Sequence, residues 1–159
     1  MANQIFVSVE EGYQSPAWLE NAEPFIQKVM KECGYDGEEV SVMFCSDPFI
    51  QTLNAQYRNI DAPTDVLSFE NGEEYEDEEG NVWKAVGDIA ISLDTLPKNA
   101  VYFEVDEEEE LKRLLVHGIL HLHGMDHGEE HVEKGKEPEC EMLKVQKKIL
   151  TALNAEKIM

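Results

Sequence analysis

The chain has 159 residues, 42% of them hydrophobic, which suits one compact domain around one core. No apolar run approaches the ~20 residues that cross a bilayer, so a transmembrane helix is excluded and no membrane partner is expected. The formal charge of −21, from 34 acidic against 13 basic side chains, argues against broad electrostatic attraction to nucleic acid. A local site is another matter, because charges more than about 8 Å away are largely screened at physiological salt.

The N-terminal "MANQIFVSVEEGY" has neither a basic leader nor an apolar signal segment, and Cys33, Cys45 and Cys140 form no CxxC pair. A cytoplasmic location with reduced thiols is the expectation. Along the chain, 5–9 and 39–44 are alternating β-branched runs that read as strands. Between them, "NAEPFIQKVMKECG" has helical spacing, with Asn21 as the expected cap, Pro24 in the first turn and Gly34 as the stop. A second helix starts at "SDPF" and runs to Arg58.

Two further strand-like runs, 64–70 and 86–93, flank an acidic segment at about 70–82, with seven carboxylates in residues 70–79. That composition predicts a solvated, mobile insertion loop, poor in groups that repay the entropy of ordering. A short helix is expected after an Asp94 cap, and a stronger one from Asp106, with Leu111, Leu114, Leu115, Ile119 and Leu122 on its apolar face and Gly124 at its end. The tail from Glu137 to Leu153 repeats apolar residues at helical spacing. The expected fold is α+β, spanning 1–159 as a single domain: a small mixed four-stranded sheet, about five helices, and a metal site at the end of a central helix.

The metal site is suggested by "HGILHLHGMDH", 117–127, which holds four of the five histidines. At 3.6 residues per turn, His117 and His121 share a helix face, whereas His123 lies about 240° around from His117. His127 follows Gly124, which can turn the chain back. Two histidines at i and i+4 arise by chance on many helices; adding a glycine turn and a third histidine is far more specific. His123 points away from that pair, and His131 is a lesser candidate ligand. Three neutral imidazoles leave a divalent cation with an open position, a catalytic rather than a structural arrangement. Zinc suits imidazole first, with Ni, Co or Fe also compatible. The spacing matches the metzincin proteases, but their general-base glutamate is replaced here by Gly118, which disfavours a peptidase.

Three blocks together, "LNAQYRNIDAPTDVLSF" (53–69), "GDIAIS" (87–92) and "HGILHLHGMDH" (117–127), resemble the YbeY family of bacterial metallo-endoribonucleases over most of the chain. The resemblance implies an α+β fold, one divalent metal on His117, His121 and His127, and an essential Arg58 facing the same cleft. It implies a single-strand-specific endoribonuclease in small-subunit ribosomal RNA maturation, at the 3′ end, and in ribosome quality control, with Arg58 and His117 carrying catalysis. Met125 departs from the tyrosine common at that position, and the acidic segment looks longer than the family's usual connection.

Arg58 is one of two arginines, and a guanidinium fork suits phosphate oxygens; the plainer reading is a helix end paired with a carboxylate. Asp65 either caps a strand start or orients Arg58. Asp126 either supports a ligand imidazole or is an ordinary turn residue, and Asp88 belongs to a family block without readable chemistry. A ribosome-assembly factor with little nuclease activity, binding a small-subunit ribosomal protein or a ribosome-associated GTPase, is the rival reading. The acidic surface suits it. DNA is not an expected partner.

Overall fold

The computed structural model describes residues 2–125 and 140–159. In chain order the elements are β1 (Gln4–Val9), α1 (Leu19–Glu32), β2 (Glu38–Cys45), α2 (Asp47–Arg58), β3 (Val66–Glu76), β4 (Val82–Ser92), α3 (Leu96–Phe103), α4 (Glu107–Leu122) and α5 (Glu141–Ala152). The sheet order is β1-β2-β4-β3, with β1, β2 and β4 parallel and β3 antiparallel to β4. This is the expected α+β architecture with a mixed four-stranded sheet.

One sheet face carries the main core. There α1 packs on β1, and α4 packs on β3, β4, α1, α3 and α5. Leu111, Leu114, Leu115, Val116, Ile119 and Leu120 of α4 are essentially fully buried. Each such side chain contributes roughly 1.5–3 kcal/mol by leaving water. On the opposite face, α2 covers a smaller cluster of Cys45, Ile50, Leu67 and Ala90. Gly118 sets how closely α4 approaches the sheet. A Cβ there would stand 2.9 Å from Ile89 Cδ1 and 3.0 Å from its Cγ2.

Local signals explain most helix boundaries. The Ser46 hydroxyl accepts from the Phe49 amide at 3.2 Å, and the Asp106 carboxylate accepts from the Glu109 amide at 2.8 Å. Four glutamates in the first turn of α4 complement its macrodipole. Helices α1 and α4 both end in the same pair of reversed bonds. Gly34 N–H donates to Lys31 O and Tyr35 N–H to Met30 O; Gly124 N–H donates to His121 O and Met125 N–H to Leu120 O. Both glycines have positive φ, 78° and 82°, which this C-terminal motif requires.

Three expectations about helix starts are corrected. Helix α1 begins at Leu19, so Pro24 lies inside it rather than in its first turn, and Asn21 is a helical residue whose Nδ2 donates to Ile158 O at 2.8 Å. The carbonyl that Pro24 leaves without an N–H belongs to Glu20, an exposed residue that water can serve. Asp94 does not cap α3; its Oδ2 accepts the Asp47 amide at 2.8 Å, at the start of α2, and its Oδ1 accepts the Tyr13 hydroxyl.

The acidic segment is a β-hairpin, not a loop. β3 runs on to Glu76 and pairs with β4 through Tyr75↔Trp83 and Glu76↔Val82. Asp77 organises the turn, accepting from the Glu79 and Asn81 amides and from Trp83 Nε1, each at 2.9 Å. The Trp83 indole first, then the Asn81 amide, hold its carboxyl below the usual range. Backbone pairing and this anchor supply the ordering that side-chain composition alone could not suggest. Cys33 and Cys45 are free thiols, and burial pushes the Cys45 thiol up to about 12.

Candidate functional site

A cleft of about 730 Å³ opens between α2, β3, α3 and α4, and its walls include Arg58, Asp65, Ser68, Tyr102, His117 and His121. The two histidines are half-buried on one face of α4, one turn apart, as their spacing requires. Their Nε2 atoms lie 3.1 Å apart. Two imidazoles on one tetrahedral zinc, with bonds of about 2.0–2.1 Å, place their nitrogens about 3.3 Å apart, so the pair suits a shared cation.

The tautomer of His117 follows from a residue that sequence reading missed. Gln146, on α5 and 3% exposed, places its Oε1 2.8 Å from His117 Nδ1. A carbonyl oxygen only accepts, so Nδ1 carries the proton and Nε2 presents its lone pair to the cleft. Nothing in "EMLKVQKKIL" separates this glutamine from a solvated one except that it falls one residue after Val145 on an amphipathic helix.

Beyond Leu122, the turn at Gly124 redirects the chain. His127, Asp126 and His131 lie outside the described residues. Among the described residues no group of three or more His, Cys, Asp or Glu side chains is placed to hold a metal ion. His123 is engaged elsewhere. Its Nδ1 meets Ile119 O and its Nε2 meets Glu38 Oε1, each at 2.8 Å, and its ring stacks on Tyr35 at 3.6 Å. It points away from the histidine pair, in accord with the helical angle.

Arg58 sits at the last turn of α2, where Asn59 ends the helix with φ of 59°. Its Nη2 donates to Ser68 O at 2.7 Å, and its guanidinium lies 5.1 Å from the Phe69 ring centre. Among the described residues no carboxylate pairs with it, against the plainer reading of a helix-end ion pair. The fork is held by a neutral carbonyl and an aromatic face, so its charge remains available to the cleft.

Asp65 partners the other arginine. Its carboxylate accepts from the Val66 amide at 2.8 Å, from Asn99 Nδ2 at 3.0 Å and from Arg113 Nη2 at 3.3 Å. The alternative that it orients Arg58 is therefore corrected. Arg113 also makes a two-pronged bond to Glu110, at 2.7 and 2.6 Å, and Glu110 is 1% exposed. Burial alone would lower Arg113, but the Glu110 and Asp65 carboxylates hold it above its ordinary value. The sequence carried a signal for this network, since Arg113, His117 and His121 recur at four-residue spacing and share one helix face.

Asp88 is exposed and does not line the cleft. Its neighbour Ile89 faces Gly118 of α4, so alternation along β4 turns Asp88 to the other side of the sheet, opposite Phe69. Of the acidic segment, Glu70 alone among the described residues lines the cleft.

The profile of the family described as "Endoribonuclease YbeY" matches residues 7–154. A protein of that name from Treponema denticola is 52% identical over 153 residues, covering 94% of this chain and 93% of the relative. Another from Aquifex aeolicus is 39% identical over 132 residues, covering 83% and 81%. The solution structure of TM1509 from Thermotoga maritima superposes with a TM-score of 0.60 at 30% identity, covering 96% of this chain and 91% of that one. A profile spanning almost the whole sequence, together with relatives matched nearly end to end, places the chain in the YbeY family.

Proposed function

We propose that this protein is a metal-dependent, single-strand-specific endoribonuclease acting in the cytoplasm on small-subunit ribosomal RNA, in 3′-end maturation and ribosome quality control. The observation that carries the reading is the convergence of the His117 and His121 Nε2 atoms at 3.1 Å in a cleft shared with Arg58. Family membership supplies the reaction class.

His117 and His121, with His127 as third ligand, would hold one divalent cation, zinc by the chemistry of an all-imidazole set. Bound there, the cation supplies Lewis acidity and a water acidic enough to act as nucleophile at neutral pH. Gln146 keeps the His117 Nε2 lone pair directed into the cleft. Arg58 spreads its fork across the non-bridging oxygens of the phosphodiester, whose charge grows in the transition state. Asp65, Arg113 and Glu110 fix the start of β3 against α4 and so hold the cleft wall at its width.

A peptidase is disfavoured on packing grounds as well as by composition. Gly118 is buried against Ile89, where a glutamate has no room. A protein-binding role can accompany the nuclease: the exposed acidic hairpin suits a basic small-subunit ribosomal protein, or a ribosome-associated GTPase with a basic face. The test of the main reading is elemental analysis of purified protein together with cleavage of single-stranded and duplex RNA, with and without chelator. Stoichiometric metal and chelator-sensitive cleavage of the single strand are expected. Cleavage indifferent to metal removal overturns the metal dependence.

A further inference from the structure

Helix α3 ends in two adjacent aromatic residues, Tyr102 and Phe103, and both line the cleft that holds Arg58, His117 and His121. Tyr102 is 71% exposed. Phe103 is held from behind: the Arg113 guanidinium lies 5.0 Å from its ring centre, and Arg113 is itself clamped by Glu110 and Asp65. Tyr102 meets Phe103 edge to face, with centroids 5.0 Å apart and planes at 80°. The result is a phenol ring left in water at the cleft, braced by a ring that is braced by a buried ion pair.

We propose that Tyr102, supported by Phe103, is a stacking platform for one unpaired nucleobase of the RNA in this cleft. The proposal rests on the endoribonuclease reading above and adds the contact that selects unpaired RNA. Unstacked bases dock on aromatic faces, whereas the base faces inside a duplex are already covered by their neighbours. Such stacking tolerates any base, since every base has a π-face. Charge balance points the same way. A chain of net charge −21 gains little from long-range attraction to phosphates, so affinity must draw on contacts that are not ionic. A ring already braced loses little freedom on binding.

The test uses metal-loaded protein and single-stranded RNA in which an abasic nucleotide is walked along the chain. Cleavage kinetics are measured for the wild type, Tyr102→Ala and Tyr102→Trp. A parallel series carries 2-aminopurine, whose fluorescence is quenched on stacking, read by stopped flow before cleavage. Tyr102→Ala should raise KM about tenfold, and Tyr102→Trp should restore it. At one position the abasic substitution should cost the wild type a similar factor and Tyr102→Ala nothing further. At that same position 2-aminopurine should be quenched by the wild type and not by Tyr102→Ala. Losses that add at every position, or wild-type KM in Tyr102→Ala, overturn the platform even if cleavage is intact. Failure of the wild type to cleave any RNA overturns the nuclease reading separately, because the fluorescence series still reports stacking.

Discussion

The Oε1 of Gln146 stands 2.8 Å from Nδ1 of His117 and is the acceptor that assigns that ring its tautomer. Gln146→Leu leaves a ring N–H without its partner and frees the imidazole to rotate. Metal affinity, measured by competition with a chelating dye, should fall roughly 10- to 100-fold while the fold is retained. Gln146→Glu keeps an acceptor and should bind metal at least as tightly as the wild type. Wild-type affinity in Gln146→Leu would mean that His117 needs no such support.

Replacing His117, His121 or His127 by Ala should each abolish stoichiometric metal, and His123→Ala should leave it nearly intact. His123→Ala carries a different penalty. It removes the stack on Tyr35 and the bond to Glu38, so thermal stability should drop by about 1–2 kcal/mol. Equal metal content in all four variants by elemental analysis would end the assignment.

Arg58 should act on substrate and not on metal. Arg58→Ala should keep its metal and fold yet lose most RNA cleavage. Arg58→Lys should recover little, because a point charge lacks the fork and the stacking on Phe69. Wild-type cleavage by Arg58→Ala would sink the clamp.

At Gly118 the helix and the sheet compete for the same space. Gly118→Ala gains about 1 kcal/mol of helix propensity but must displace Ile89, at a cost of about 1–3 kcal/mol, so a small net loss is expected in denaturant titration. Gly118→Glu adds a buried carboxylate to the clash and should destabilise by more than about 3 kcal/mol, with no peptidase activity gained. A stable Gly118→Glu protein would show that α4 can lift from β4 cheaply.

What could be read from sequence was decided within a few residues of chain. Ser46 and Asp106 start helices because a short side chain reaches an amide three residues on. Gly34 and Gly124 end helices because a residue without Cβ takes positive φ at little cost. The shared face of His117 and His121, and the divergence of His123, follow from 3.6 residues per turn.

Local sequence misleads where a residue's partner lies far along the chain. Asp94 looked like the cap of its own helix but serves Asp47, 47 residues away. Asp65 was open to pairing with Arg58 yet meets Arg113, 48 residues on. The acidic stretch resembled a loop because its carboxylates advertise solvation, while the backbone ladder to β4 that orders it leaves no mark on composition.

The sequence by itself determined which imidazoles could converge, because helical periodicity is a property of consecutive residues. Only the tertiary structure decided what surrounds them: Gln146 behind His117, the Arg113 clamp beneath Phe103, and Ile89 filling the space beside Gly118. Those partners are brought together by sheet register and helix packing. Both are set by how the whole apolar surface is buried at once, which no short stretch encodes.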